Sequence, residues 1–305
     1  MANIIAVVWD FDKTLVDGYM QDPIFEEYNI DAKTFWNEVN NLPKKYKEEQ
    51  GVKVNKDTIY LNHFIHYVKE GKMPGLNNEK LKEFGKKLKF YEGIPDIFRK
   101  TQELIANNPV FAEYDIKVEH YIVSTGMAEI IKGSSVMPFV KDVWGCELIE
   151  ATNASGHKEI SEIGFTIDNT TKTRALFEIN KGVGQLEHIE VNTKVPEEFR
   201  RVHFINMIYV ADGPSDIPAF SVVNSNKGAT FAIYPKGKMD AMKQVEQMRK
   251  DGRVNMYAEA DYREGTTAYM WLCNKIEEFA TRIRDEQRAK FQKAVSFSTP
   301  QHLID

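Results

Sequence analysis

Short apolar runs rich in β-branched residues recur along the chain, and each of them predicts a buried strand. The first run covers residues 4–9 and stops abruptly at Asp10. Because all six of its positions are apolar, and not every second one, it predicts a strand of a parallel sheet that is covered on both faces. Later apolar runs predict further strands at 118–123, 143–149, 204–211 and 229–234.

Between these runs the apolar residues recur at helical spacing. The spacing predicts helices over 23–40, 57–70 and 78–88, another opened by Pro95, one from about Thr171 to Gly182, and a long charged one over about 266–292. Strands that alternate with helices indicate a parallel sheet with right-handed crossovers. We therefore predict an α/β fold, a doubly wound parallel sheet (Rossmann-like core) with a helical insert.

A helical insert is predicted from a change of pattern along the chain. Residues 17–90 contain three helical patterns and no strong strand pattern. A helical insert after the first strand explains this best, so we divide the chain into an insert at 17–90 and an α/β core built from 1–16 and 91–305. The last dozen residues carry Ser, Thr and Pro and are expected to form a loose tail.

Composition narrows the class of protein. The chain has 305 residues, with 45 acidic and 40 basic side chains and a net charge of −5. This mild excess gives no electrostatic reason to expect a nucleic-acid or membrane partner. No signal peptide or apolar run of about 18 residues is recognisable, so we expect a cytoplasmic protein. Cys146 and Cys273 fit a reduced protein and, without neighbouring His or Cys ligands, disfavour a zinc site.

Two carboxylates follow the first predicted strand directly. Asp10 and Asp12 are two positions apart, and side chains at that spacing in a strand lie on the same face. In open α/β sheets, ligands bind at the carboxyl ends of the strands. Because adjacent carboxylates repel each other unless a cation or a shared proton intervenes, the pair indicates a metal site or a division into base and acid.

Two further acids, Asp212 and Asp216, follow the predicted strand at 204–211. If that strand lies beside the first, they meet Asp10 at one edge of the sheet. Carboxylate oxygens are hard ligands of the kind that Mg²⁺ prefers. The sequence therefore predicts Mg²⁺ as cofactor.

A phosphate-binding set is predicted beside these acids. Ser124 follows the strand at 118–123, and its hydroxyl and the amides of Thr125 and Gly126 are suited to donate hydrogen bonds to phosphoryl oxygens. Lys172, at the start of its helix, can offset the charge of a carboxylate nucleophile beside a phosphate dianion. Lys181 on the same helix is the alternative for this lysine.

With these motifs in order, the chain resembles the haloacid dehalogenase-like hydrolases. Residues 10–14 fit their first motif, Asp-x-Asp-x-Thr, and Ser124 fits the second. Lys172 fits the third, and the acids of 212–216 fit the fourth. The resemblance is most specific in the paired carboxylates followed by the fourth motif.

The resemblance covers roughly 1–16 and 91–235. The entry at 91–95 and the residues after Ser124 look most like the phosphoserine-phosphatase branch, and the helical insert is similar to the cap domain of that branch. The resemblance therefore implies a doubly wound parallel sheet with a helical cap domain, in which the cap covers 17–90 and the α/β hydrolase core covers 1–16 and 91–305.

The resemblance implies a role for each matching position. Asp10 would attack phosphorus and form an aspartyl-phosphate, while Asp12 would protonate the leaving oxygen and later deprotonate water. Ser124 and Lys172 would complete the catalytic set. Magnesium would be held by the Asp10 carboxylate, the Asp12 backbone carbonyl and Asp212, with Asp216 close or acting through water. The activity implied is that of a phosphoric monoester hydrolase, with a small phosphorylated metabolite as substrate.

Several alternatives stay open at this stage. A second Asp at position 12 disfavours dehalogenation, which leaves a phosphotransferase, a phosphonate hydrolase or a non-catalytic phospho-ligand-binding protein as rivals. His63 and His66 are candidates for lining the pocket, and Asp17, Tyr19 and Met20 for touching substrate. The sequence selects neither a particular phosphoester nor an oligomeric state.

Overall fold

The structure is a computed structural model that describes residues 3–296. The predicted C-terminal tail falls almost entirely outside the described residues. Within that range the strands are β1 (Ile4–Trp9), β2 (Lys117–Met127), β3 (Val140–Thr152), β4 (Lys158–Phe165), β5 (Met207–Ala211), β6 (Ala229–Tyr234) and β7 (Met256–Glu259).

The helices of the first half are α1 (Asp22–Glu27), α2 (Ala32–Gln50), α3 (Ile59–Lys69), α4 (Asn78–Gly85), α5 (Asp96–Ala106) and α6 (Pro109–Ala112). Those of the second half are α7 (Ala128–Lys132), α8 (Lys172–Lys181), α9 (Ile217–Ser225), α10 (Met239–Lys250) and α11 (Thr267–Ser296). Among the described residues, no helix combines the length and the apolar character that crossing a membrane requires.

One sheet organises the fold, in the strand order β4-β3-β2-β1-β5-β6-β7. All neighbouring strands pair in parallel except β3 and β4. Alternate residues of β1 face two separate apolar layers: Ile5, Val7 and Trp9 belong to one, and Ala6 and Val8 to the other. The unbroken apolar run of β1 thus reflects a central strand buried on both faces. The predicted doubly wound α/β fold is confirmed.

Most predicted elements are present, and the differences have local causes. The predicted strand at 204–211 begins only at Met207, because Phe204–Asn206 form a 3₁₀ turn. The predicted helix over 23–40 is two helices, since Asn29 adopts a left-handed φ of 51°. Asp31 then caps α2 by accepting a hydrogen bond from the Thr34 amide at 2.8 Å.

The apolar pattern of the sequence does not predict β4, β7, α9 and α10, or the short helices α6 and α7. β4 is an antiparallel edge strand, and its polar, half-exposed residues give no apolar run. Residues 17–90 contribute helices α1–α4 and, within the described part of the chain, no strand of the sheet. Their division from the rest as a cap domain stays a prediction.

A buried polar chain supports the end of β1 next to the predicted site. Trp9 Nε1 donates to Nδ1 of the fully buried His120 at 3.0 Å. His120 Nε2 therefore carries the ring hydrogen and faces Thr101 Oγ1 at 3.0 Å and the Phe98 carbonyl at 3.2 Å. Burial lowers the pKa of His120 to about 3, so the ring stays neutral in the folded protein.

This depressed pKa predicts a specific pH dependence of stability. Below an unfolded pKa of about 6.5, the unfolded chain binds a proton at His120 that the folded chain does not. The free energy of unfolding then decreases by up to about 1.4 kcal/mol for each pH unit. Between pH 6.5 and 5, the free energy of unfolding, measured with urea, should decrease by about 1.5 kcal/mol less for His120→Gln than for the wild type.

The exposed His157 provides the control, because His157→Gln should keep the wild-type pH dependence. Equal losses for wild type and His120→Gln over this pH range would contradict the assignment of a neutral, buried His120.

Candidate active site

The acidic residues come together because β1 and β5 are neighbours in register. Trp9 pairs with Val210, and the Asp10 amide donates to the Val210 carbonyl at 2.9 Å. Asp10 and Asp212 therefore leave the sheet at the same edge. One carboxylate oxygen from each of Asp10, Asp212 and Asp216 lies within 4.8 Å of the others, a spacing that a single cation can bridge.

The carboxylates of this cluster are short of positive charge. Burial raises the pKa of Asp10, and although Lys172 opposes that rise, the Asp216 carboxylate adds to it. Burial and then the Asp10 carboxylate raise the pKa of both Asp12 and Asp212. Asp10 and Asp212 belong to the cluster, and their charged forms are disfavoured, so these two acids suit a divalent cation, whose charge would lower their raised pKa values. The donor set, made of oxygen atoms, fits Mg²⁺.

Lys172 supplies a buried positive charge to the cluster. It is the first residue of α8 and is only 1% exposed. Its Nζ donates to Asp10 Oδ1 at 2.6 Å and to Asp216 Oδ1 at 2.7 Å. Burial alone would lower the pKa of Lys172, but the Asp10 and Asp216 carboxylates outweigh it and raise that pKa. Lys172 is therefore an ammonium ion between two carboxylates.

The other candidate lysine lies elsewhere. Lys181 Nζ donates to the carbonyls of Val191 at 2.6 Å and Thr193 at 2.8 Å, where it ties down the connection that follows α8. Of the two lysines, the structure thus places Lys172 at the carboxylates.

Ser124 lies at the same edge of the sheet, on the other side of β1. Trp9 pairs with Ile122 of β2, so Ser124 is two residues beyond that pair, as Phe11 is on β1. The Gly126 amide, predicted as a donor to phosphate, here donates to Ser124 Oγ at 3.0 Å. The predicted phosphate contacts of Ser124, Thr125 and Gly126 therefore stay predictions.

Gly126 lies directly against the end of the Met20 side chain, which would have to shift to admit a larger residue. A Cβ there would lie 2.1 Å from Cε and 2.4 Å from Sδ of Met20. The Met20 amide in turn donates to Asp12 Oδ1 at 2.8 Å. The segment that leads out of the first motif thus packs on the second motif and holds the Asp12 side chain.

Two further side chains hold the acids: Thr14, the last residue of the first motif, for which no role was predicted, and Tyr209, which was not predicted at all. Thr14 Oγ1 donates to Asp10 Oδ2 at 3.1 Å, so Lys172 and Thr14 contact different oxygens of one carboxylate. Tyr209 donates its hydroxyl to Asp216 Oδ1 at 2.6 Å. Burial and then the Asp216 carboxylate raise the pKa of Tyr209 well above its usual range, so the hydroxyl keeps its proton. A hydroxyl within an otherwise apolar strand was the available signal.

Residues of α3 and the preceding segment reach the site from the other side. Tyr60 donates its hydroxyl to the Thr125 carbonyl at 2.8 Å, and Asn55 donates to Asp168 Oδ2 at 2.8 Å, just before α8. His63 and His66 instead face Glu38 at 2.8 Å and Glu70 at 3.0 Å. These contacts direct both histidines to acids within 17–90 and away from the carboxylate cluster.

Comparison with known proteins identifies one relative by sequence. No protein-family model matches the chain. An uncharacterized protein of Borreliella burgdorferi is 37% identical over 287 residues, which covers 90% of this chain and 97% of that protein. Similarity of this extent shows that the two proteins belong to one family.

Solved structures add the fold. The crystal structure of a haloacid dehalogenase (HAD) family hydrolase from Salmonella enterica serovar Typhi aligns with a TM-score of 0.50 at 12% identity, over 84% of this chain and 67% of that chain. A phosphoserine phosphatase in its apo form aligns with a TM-score of 0.49 at 15% identity, over 85% and 96%. The chain belongs to the same family as the Borreliella burgdorferi protein, and its fold is that of the haloacid dehalogenase-like hydrolases.

Proposed function

We propose that the protein is a Mg²⁺-dependent phosphatase that hydrolyses a small phosphomonoester through an aspartyl-phosphate on Asp10. The observation that carries this proposal is the buried Lys172 ammonium, 2.6 Å from Asp10 inside a cluster of three carboxylates. An ion pair with a purely structural role needs only one carboxylate for each ammonium, whereas Lys172 lies in a cluster of three carboxylates. Surplus acids at the carboxyl edge of an α/β sheet suit a site that takes up a cation and an anionic substrate.

Asp10 is the proposed nucleophile because both of its oxygens are held in place. Lys172 fixes Oδ1 and Thr14 fixes Oδ2, which restricts rotation of the carboxylate before it reacts. An oxygen of Asp10 attacks phosphorus, and the bond between phosphorus and the leaving alcohol breaks. Water then attacks phosphorus, the bond to Asp10 breaks, and inorganic phosphate leaves.

Asp12 is the proposed general acid and base. Its raised pKa favours the protonated form, which the first step needs for donating a proton to the leaving oxygen. In the second step the resulting carboxylate takes a proton from the attacking water. The Met20 amide donates a hydrogen bond to Asp12 Oδ1 at 2.8 Å and so orients this carboxyl group for both proton transfers.

Asp10, Asp212 and Asp216, with the Asp12 backbone carbonyl, are the proposed holders of Mg²⁺. When bound, the ion supplies charge neutralisation for the phosphoryl oxygens. Lys172 keeps Asp10 ionised at close range, and Ser124 with the Thr125 and Gly126 amides is proposed to receive the remaining phosphoryl oxygens. Residues 17–90 are proposed to act as a cap that excludes bulk water from this crevice.

Metal binding predicts a change in stability that needs no substrate. At about one hundred times its dissociation constant, Mg²⁺ should raise the free energy of unfolding of the wild type by about 2.7 kcal/mol. Mg²⁺ should not stabilise Asp212→Asn in this way. When neither protein has Mg²⁺, Asp212→Asn should unfold no more easily than the wild type, because the substitution removes a disfavoured charge. Chemical unfolding with and without Mg²⁺ measures both effects.

Asp251→Asn is the control for this experiment, since it changes a carboxylate outside the cluster. Equal stabilisation of wild type and Asp212→Asn by Mg²⁺ would remove Asp212 from the metal site.

The nucleophile is tested by Asp10→Asn. The amide keeps the size of the side chain but cannot form a stable phosphoryl-enzyme, so phosphate release should decrease by about three orders of magnitude or more. Phosphate release from p-nitrophenyl phosphate with Mg²⁺ measures this. Asp142→Asn, outside the cluster, should retain wild-type activity; substantial turnover by Asp10→Asn would refute the assignment of the nucleophile.

The acid role of Asp12 predicts a dependence on the leaving group. For Asp12→Asn, kcat/KM should decrease by about 10²- to 10⁴-fold with benzyl phosphate, whose alkoxide needs protonation. With p-nitrophenyl phosphate the decrease should be much smaller, because nitrophenolate leaves without a proton. Equal decreases for both esters would show that Asp12 does not protonate the leaving group.

A further inference from the structure

The Asp216 carboxylate is held by donors on both of its oxygens. Oδ1 accepts from Lys172 Nζ at 2.7 Å and from the Tyr209 hydroxyl at 2.6 Å, while Oδ2 accepts from Ser215 Oγ at 2.8 Å. Asp216 is completely buried, so water does not compete for these positions. Three donors on two oxygens leave the carboxylate one orientation.

Tyr209 is the least expected of the three donors. It is the third residue of β5, completely buried, and its strand is otherwise Met, Ile, Val and Ala. Its ring packs edge-on against Phe220, with ring centroids 5.4 Å apart, and a phenylalanine would fill that space equally well. The hydroxyl is thus not needed for packing, and its hydrogen bond is to Asp216.

Besides its proposed place at Mg²⁺, Asp216 acts on the site through its contact with Lys172. The ammonium lies between Asp10 and Asp216, at 2.6 and 2.7 Å, and a lysine side chain has four rotatable bonds. Asp10 is the group that reacts in the proposed mechanism, and its partners change when it carries phosphorus. Asp216 is then the fixed partner that keeps Lys172 in place through both steps.

We propose that Tyr209 is a positioning residue, whose hydroxyl fixes Asp216, together with Ser215, so that Asp216 holds the Lys172 ammonium at Asp10. The proposal deepens the proposed phosphatase function, on which its kinetic test depends. A purely structural hydroxyl would affect stability alone. A positioning hydroxyl affects the catalytic step more than substrate binding, since Lys172 acts on the nucleophile.

The kinetic test is Tyr209→Phe, with Tyr121→Phe as a matched control. Tyr121 is also almost completely buried in a central strand, and its hydroxyl also binds a carboxylate, that of Glu119, and accepts from Arg201 at 2.6 Å. Tyr209→Phe should lower kcat for benzyl phosphate about tenfold and leave KM within about twofold. Tyr121→Phe should leave both within about twofold, even if it unfolds more easily.

A second measurement does not need activity. Reductive methylation with formaldehyde and a borane, followed by mass spectrometry, reports how accessible the Lys172 amine is. Lys172 should be protected from methylation in the wild type and in Tyr121→Phe. In Tyr209→Phe it should be methylated several-fold faster. Ser215→Ala, which removes the donor on the other oxygen without changing β5, should act in the same direction.

These outcomes separate the two proposals. The positioning role would be overturned if Tyr209→Phe kept the wild-type kcat and the wild-type protection of Lys172. It would also be overturned if the changes in kcat and in methylation rate were no larger than those in Tyr121→Phe. If the wild type hydrolysed no phosphomonoester, the phosphatase proposal would fail, but the methylation rates of the variants would still decide whether Tyr209 positions Lys172.

Discussion

The Lys172 ammonium between Asp10 and Asp216 is the interaction on which the site depends. Removing two carboxylates and an ammonium from water costs several kcal/mol per ion, and the attraction among them offsets this cost only when the geometry is good. Here both contacts are shorter than 2.8 Å, and Asp10 and Asp216 each accept further hydrogen bonds, from Thr14 and from Tyr209 and Ser215. Asp212, the third acid of the cluster, stays under-compensated, which suits a site that could hold a cation.

The sheet provides the rigid support for this interaction. β1 lies between β2 and β5, and its residues are buried on both faces, so Asp10 follows a strand that is held by neighbours on both sides. Trp9 is anchored sideways by His120 just before the chain leaves the sheet. Asp10, the proposed nucleophile, therefore has little freedom to move, as the in-line attack on phosphorus in the proposed mechanism requires.

How much of this the sequence could predict depends on how local the signal is. Asp10 and Asp12 were predicted because an apolar run ends in acids, a signal contained in nine residues. Lys172 could also have been separated from Lys181: the two are nine residues apart, about 180° around a helix, and Lys172 shares its face with the apolar residues three, four and seven positions later. That face is the one packed against the sheet.

Other features depend on contacts that form only in the folded chain, and their signals in the sequence are weak or absent. A tyrosine within an apolar strand reads as core, and only the fold shows that its hydroxyl meets Asp216, seven residues later. Likewise, β4 has neither an apolar run nor a clear alternation, because it is a half-exposed edge strand paired only with β3. Such elements are defined by their neighbours rather than by their own composition.

In the proposed mechanism, the path of residues 17–90 links the entry of substrate to proton transfer by Asp12. This segment leaves the site next to Asp12, whose carboxylate is held by the Met20 amide, and it returns to the second motif through Tyr60 and the Thr125 carbonyl. A displacement large enough to admit substrate would strain or break these contacts. The proposed general acid would then lose its orientation while the crevice is open and regain it on closure, so proton transfer would be confined to the state in which bulk water is excluded.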